Sequence, residues 1–237
     1  MNAGKIRSAA DLAAVKAAYN AMAAKYKRQI LVCSGAGCVS SRSAEVRRAI
    51  ADELEKIGKS GEVLIHETGC MGICAAGPVM LVLPEKTFYT SLTPETARNV
   101  INSHIQRGEI LLENTFYDYS LKRHVPNIDD IDFFKEQVKI ALRNCGVIEY
   151  GSVDAYIAKD GYLAAAKAIT QKSREFVIAE VKKSGIRGRG GAGFPTGVKW
   201  EAGYKAPGER KFIVCNADEG DPGAFMDRSI LEATRTP

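Results

Sequence analysis

The chain has 237 residues, 46% apolar and 26% charged, with a formal net charge of +5 at pH 7. That composition excludes a disordered tail and can fill one large or two modest cores. The charge excess is small and broken by acidic pairs such as Asp129-Asp130 and Asp218-Glu219, which argues against nucleic acid and for a solvated surface facing an acidic protein partner or nucleotide phosphates.

Lys5, Arg7, Asp11, Lys16, Lys25 and Lys27 interrupt the first 28 residues, so no signal peptide is readable there. No apolar run approaches a direct membrane span. The expected compartment is a reducing cytoplasm. Residues 9–28 are rich in strong helix formers, with Leu12, Val15, Tyr19 and Met22 at helical spacing. A short buried strand over 29–33 follows, then a helix over about 41–58 stopped at Gly58. Residues 62–66 read as a second strand, and 78–83 with 87–91 as a strand pair turned at 84–86. Thr93-Pro94-Glu95 opens a helix running to about Ile105, with proline at its first position. The order is β-α-β-β-β or β-α-β-β-α, a compact α/β unit that agrees with a thioredoxin-like arrangement.

Cys33-Ser-Gly-Ala-Gly-Cys38 and Cys70-Met-Gly-Ile-Cys74 each follow a strand, embedded in glycine and small residues. Small neighbours let the backbone wrap an inorganic core and aim amides at sulfur. Four thiolates gathered this way suit a [2Fe–2S] cluster held by Cys33, Cys38, Cys70 and Cys74. Structural zinc also takes four thiolates, although short knuckles are its commoner signature, and unligated cysteines are the remaining alternative.

Residues 109–130 hold Tyr117, Tyr119, Arg123, His124 and Pro126 without sustained periodicity, a linker that lies on a surface. Helices are predicted over 131–143, 152–158, 161–170 and 174–184. A glycine-rich loop over 185–197 is next, then a strand over 211–215 leading into the acidic loop 216–223. Glycines at 188, 190, 191 and 193 bring backbone N–H groups against an anion, with Arg187, Arg189 and Lys199 beside them. A helix start near Thr196 would add its dipole. The loop is neither a Walker loop nor a clean Rossmann fingerprint, and a mobile surface loop is the plain alternative. Cys215 reads as a buried small hydrophobe at a strand end and Cys145 as structural. His66, His104 and His124 are dispersed surface or hydrogen-bonding residues.

Gly188-Arg-Gly-Gly-Ala-Gly-Phe-Pro-Thr-Gly-Val-Lys-Trp200 and Asn216-Ala-Asp-Glu-Gly-Asp-Pro-Gly-Ala-Phe-Met-Asp-Arg228 resemble the NADH-binding flavoprotein subunit of respiratory complex I. They are more similar still to its relatives in soluble NAD(P)-linked hydrogenases and formate dehydrogenases. Residues 122–135 and the turn Arg143-Asn-Cys-Gly146 resemble the connector of that family. The fold implied is a thioredoxin-like [2Fe–2S] ferredoxin domain followed by the helical N-terminal part of an α/β FMN-binding domain. The divisions expected are a helix over 1–28, the cluster domain over 29–108, the linker over 109–130 and a truncated FMN/NAD-binding domain over 131–237.

By this resemblance Gly188, Arg189, Gly190, Gly191 and Lys199 would hold FMN through its phosphate and ribityl chain. Asn216, Asp218 and Glu219 would contact its side chain and ring region. Phe194 would face the nicotinamide nucleotide, NAD(H) or NADP(H). Asp221, where complex I subunits more often carry Glu, would sit near the NAD(H) ribose. The implied partners are other redox subunits of a hydrogenase, formate dehydrogenase or complex I-like assembly.

The family reads Leu-Glu-Gly-Asp-Pro-His where this chain reads Leu231-Glu-Ala-Thr-Arg-Thr-Pro237. A one-base deletion accounts for residues 233–236, and resequencing codons 230–237 checks it. The expectation is half an FMN site, stranded apolar surface over 131–237, a cluster domain that folds alone and little NADH turnover. Two further readings stand beside this one: a stand-alone [2Fe–2S] ferredoxin-like carrier and a zinc-stabilised interaction module.

Overall fold

The computed structural model describes residues 6–212, 214–224 and 226–234. Residues 235–237, which include part of the shifted-frame reading, lie outside them. The chain divides into two compact units, one of residues 14–159 with 219–237 and the other of 1–13 with 160–218.

A helix, α1 (Ala9–Ala23), falls within the run expected to be helical. After it the first unit is built on a four-stranded sheet of β1 (Arg28–Cys33), β2 (Val63–Thr68), β3 (Met80–Leu83) and β4 (Thr87–Tyr89), in the order β2-β1-β3-β4. β1 lies parallel to β2 and antiparallel to β3, with Ile30 opposite both Ile65 and Val82. A parallel pair needs a crossover, which α2 (Ala36–Ser40) and α3 (Ser43–Lys56) supply. Being central, β1 is buried on both faces, which explains its unbroken apolar run. Ile30 and Val32 point into one core with Val46, Ile50 and Leu54 of α3. Leu31 and Cys33 point into the other, with Met71, Leu81 and Phe88. The two-residue period of a strand thus divides β1 between two cores.

α4 (Pro94–Val100) begins at a capping box in which the Thr93 and Thr96 side chains each bond the other's backbone N–H. It continues as a π-helical turn over Ile101–Arg107 and ends at Gly108, φ 80°. Residues 109–130 form more than a linker. β5 (Phe116–Asp118) and β6 (Arg123–Val125) make a hairpin. Its flanks cover the outer edge of β4: Phe88 N–H donates to Pro126 O at 2.8 Å and Thr90 N–H to Asn114 O at 2.9 Å. An otherwise unpaired edge is thereby satisfied.

Three expectations need correction. The helix expected over 41–58 is α3, Ser43–Lys56, preceded across Arg42 in the left-handed region (φ 69°) by the short α2, where a loop is expected. The helix over 131–143 shortens to α5 (Asp132–Lys135), followed by turns. Residues 211–215 form no strand among the described residues, and Phe212 and Val214 are 83% and 86% exposed. Ile213 lies outside the described residues. An extended run becomes a strand only against a partner, and no described strand pairs with this one. Cys215 is accordingly exposed, not buried. The later helices fall close to expectation, at α6 (Val153–Ala158), α7 (Leu163–Gln171) and α8 (Arg174–Lys183).

Candidate metal centre and glycine-rich loop

Two connections at one end of the sheet carry the four cysteines, Cys33 and Cys38 after β1 and Cys70 and Cys74 after β2. β1 ends on Cys33, whose N–H donates to Val79 O at 3.1 Å. Cys38 lies inside α2, Cys70 two residues beyond β2, and Cys74 opens a 3-10 turn. Ser34 ties the β1 and β2 ends together, its N–H and hydroxyl both donating to Thr68 O at 2.9 and 3.0 Å. Cys33, Cys38 and Cys70 are buried; Cys74 is exposed.

The sulfurs are close enough to act on one another. Cys70 Sγ and Cys74 Sγ stand 3.9 Å apart, near the ~3.8 Å edge of a sulfur tetrahedron with metal–sulfur bonds of about 2.3 Å. Hydrogen bonding to Cys38 pushes the Cys33 thiol up to about 11, and the same bond lowers Cys38. Cys70 is raised by its bond to Cys33 and by burial, and Cys74 by burial. Crowded thiols resist accumulating negative charge, so a metal must displace their protons to bind. Among the described residues no three cysteine, histidine or carboxylate groups surround a single ion position.

Glycine makes the close approach possible. A Cβ on Gly35 would fall 2.8 Å from Cys70 Cβ, one on Gly37 3.1 Å from Cys74 Cβ, and one on Gly77 2.9 Å from Cys38 Sγ. Gly72 N–H donates to Cys70 Sγ at 3.3 Å. Four soft donors, a backbone amide aimed at sulfur and cradle positions that a methyl group would fill are the features that an iron–sulfur group requires. The small neighbours of each pair are visible in the sequence. The Gly77 contact is not, because it joins segments far apart along the chain.

In the second unit, Gly188 N–H donates to Phe194 O at 2.8 Å and Thr196 N–H to Ile186 O at 3.0 Å, closing the glycine-rich loop on itself. Arg187 Nη1 donates to Gly193 O at 3.1 Å. Gly191 and Gly193 adopt φ of 98° and 60°, which side chains disfavour. Arg189, Gly190 and Gly191 at the tip are exposed. α9 (Thr196–Lys205) starts where a helix was expected, with Lys199 exposed in its first turn. Gly197 lets α9 meet α8, since a Cβ there would lie 2.6 Å from Lys182 N. Asn216 Oδ1 accepts from Asp218 N–H at 3.0 Å in a local turn.

Glu219 and Asp221 belong to the first unit. Both Glu219 carboxylate oxygens are engaged, accepting from Asp227 N–H at 2.6 Å and Arg228 N–H at 2.8 Å at the start of α10 (Met226–Thr234). The histidines are hydrogen-bonded: His66 to Gln29 Oε1 at 3.4 Å, His104 to Tyr89 Oη at 3.0 Å and His124 to Thr115 O at 3.1 Å. Cys145 is buried, its thiol directed at Ser229 O 4.0 Å away. No helix among the described residues is long and apolar enough to cross a membrane.

Two stretches of the chain match known families. Residues 8–104 match the thioredoxin-like [2Fe-2S] ferredoxin family, and residues 181–236 match the Nuo51 FMN-binding domain. The chain is 55% identical over 98 residues to the NADP-reducing hydrogenase subunit HndC of Solidesulfovibrio fructosivorans, a match covering 41% of this chain and 20% of that protein. It is 53% identical over 81 residues to an NADH-quinone oxidoreductase subunit of Aquifex aeolicus, covering 34% of this chain and 18% of that one. The NAD-reducing hydrogenase HoxS subunit alpha of Cupriavidus necator is 30% identical over 216 residues, 89% of this chain and 33% of that protein. These matches span about a fifth to a third of the relatives' lengths. Among solved structures, a thioredoxin-like [2Fe-2S] ferredoxin from Aquifex aeolicus aligns with 38% of this chain and 89% of its own, at 24% identity and a TM-score of 0.35. The homologues are thus NADH dehydrogenase and NAD(P)-reducing hydrogenase subunits.

Proposed function

We propose that the chain is an electron-transfer module of an NAD(P)H-linked oxidoreductase, with Cys33, Cys38, Cys70 and Cys74 holding a [2Fe–2S] cluster. The observation that carries this reading is the convergence of four sulfurs from two loops, Cys33 on Cys38 and Cys70, and Cys70 on Cys74, with Gly35, Gly37 and Gly77 packed against them. Such a cluster takes up one electron at a time, and a flavin divides the electron pair of a hydride into single electrons. The chain's own groups bind, orient and insulate. Gly72 N–H is aimed at the Cys70 sulfur, where added negative charge would gather, and the buried positions of Cys33 and Cys38 keep water from their sulfurs.

In the second unit, Gly188, Arg189, Gly190, Gly191 and Lys199 are proposed to hold the FMN phosphate and ribityl chain. Asn216, Asp218 and Glu219 are assigned to the flavin, with Phe194 and Asp221 at the NAD(H) or NADP(H) side. The glycine loop shape and the helix that follows it support the phosphate role. Glu219 would have to release the N-terminus of α10 to reach a flavin. The partners proposed are redox subunits of a hydrogenase, formate dehydrogenase or complex I-like assembly in a reducing cytoplasm.

Low-temperature EPR of the anaerobically reconstituted, dithionite-reduced chain tests the cluster. A [2Fe–2S]⁺ signal abolished by Cys33→Ser or Cys74→Ser is expected; bound zinc and no signal overturn it. Flavin-fluorescence titration with FMN separates the second half's role from that of a stand-alone ferredoxin-like carrier.

A further inference from the structure

Residues 131–150 lie between the two family matches, 8–104 and 181–236, yet they close over the Cys70 loop. The Phe133 ring lies against Gly72, so that a Cβ there would meet its Cε1 and Cζ at 3.5 Å. Gly72 is the residue whose N–H donates to Cys70 Sγ. Phe134 fastens this ring to the sheet, edge-on to Phe133 with centroids 5.1 Å apart and to Phe88 at 5.4 Å. Ile131 is buried in the same cluster as Cys33, Cys38 and Met71. From further along the segment, Gly146 N–H donates to Thr68 Oγ1 at 3.0 Å, and a Cβ on Gly146 would lie 3.3 Å from Met71 Cγ. Tyr150 N–H donates to Glu67 O at 2.8 Å.

We infer that Phe133 is a positioning residue for the metal centre: its ring covers the Gly72 peptide, keeps water from the Cys70 sulfur and so sets the centre's lifetime and reduction potential. The inference rests on the proposed [2Fe–2S] reading of the four cysteines. Phe133 is 43% exposed, with part of its surface on Gly72 and the rest in solvent, as a cover must be. Hydrogen bonds to sulfur and solvent exposure both tune such potentials. The Gly72 N–H donor to Cys70 Sγ is backbone and belongs to another segment, so trimming the ring removes no hydrogen-bonding group and the change reaches the centre through water. Water near sulfur stabilises the added electron, so the potential moves in the positive direction.

The test uses the full chain, reconstituted, with Phe133→Leu and Phe133→Ala. Two quantities are read: the rate of chelator-driven loss of the cluster's visible absorption, and the midpoint potential from an EPR-monitored redox titration. Expected is a graded response, with several-fold faster loss and the more positive potential in the alanine variant and intermediate values for leucine. Either variant matching wild type in both readouts overturns the inference. If wild type takes up no cluster, the underlying reading falls and this inference with it. A wild-type cluster that the substitutions leave untouched removes the inference alone.

Discussion

Gly35 and Gly58 separate two reasons for a glycine, and the difference is measurable. A methyl group on Gly35 would meet backbone and side chain of Cys70 at 2.8–3.1 Å, whereas Gly58 has open space but a φ of 70°. Gly35→Ala therefore forces the two cysteine loops apart, an overpacking cost of about 1–3 kcal/mol borne where the sulfurs must converge. Iron content after reconstitution should fall well below wild type. Gly58→Ala should cost about 1–2 kcal/mol of stability through left-handed strain yet bind iron fully. Equal iron in both variants would remove the cradle argument. His104 supports a second prediction at this scale. It is buried, hydrogen-bonded to Tyr89, and its pKa is lowered by desolvation, as is that of His66. A histidine depressed in the folded state leaves the unfolded chain holding more protons below its ordinary pKa of about 6.5. Stability is therefore full above that pH and falls as pH drops through it, by at most about 1.4 kcal/mol per pH unit for each histidine. Urea unfolding at pH 7.5 and 5.5 checks the sign, and His104→Gln should flatten the slope. The grouping of Cys33, Cys38, Cys70 and Cys74 at one end of the sheet was legible in sequence because each pair is closely spaced and follows a strand. Gly77 and Phe133 were not, since each acts through a contact with a distant segment.

At the scale of elements, local chemistry decided what could be read in advance. The start of α4 was legible because Thr93-Pro94 carries its own cap, and the structure shows both reciprocal bonds. Thr93→Ala should cost about 1 kcal/mol, seen as a lower urea midpoint with unchanged slope; no change would mean that tertiary packing alone holds the helix end. β1 was legible because a strand buried on both faces reads as an unbroken apolar run. α2 was not, because its five residues, Ala36–Ser40, are too few to show a helical period and no side chain caps its start. The β5–β6 hairpin was hidden for a different reason. Its strands are three residues each, and its role is to satisfy the edge of β4, a partner set by tertiary structure. Residues 211–215 show the reverse case, a run with strand composition and no described strand beside it.

Over the whole molecule, the two units differ in how much of their chain is committed to a core. The first holds the sheet, α3, α4 and both apolar clusters. In the second, α8 and α9 meet through Gly197, the Lys182–Glu201 ion pair at 2.6 Å and a hydrogen bond from Tyr204 to Glu175. Its residues 210–212 and 214–218 have no regular structure. Opening free energy is lowest where backbone is unpaired and few apolar groups are buried, and cleavage by protease follows the population of opened chain. Arg210 and Lys211 lie in that stretch, next to the exposed Phe212. Limited trypsin digestion of the full chain should therefore cut first after Arg210 or Lys211, while Lys56, Lys59 and Arg98, set among the helices and turns around the sheet, survive. Mass spectrometry of the earliest fragments reads the order directly. First cleavage within residues 28–107 would mean that the sheet is the weaker body and that the convergence of its four cysteines depends on bound metal. Cleavage at 210–211, with residues 28–107 intact in the metal-free chain, would place that convergence in the fold itself, available before any metal arrives.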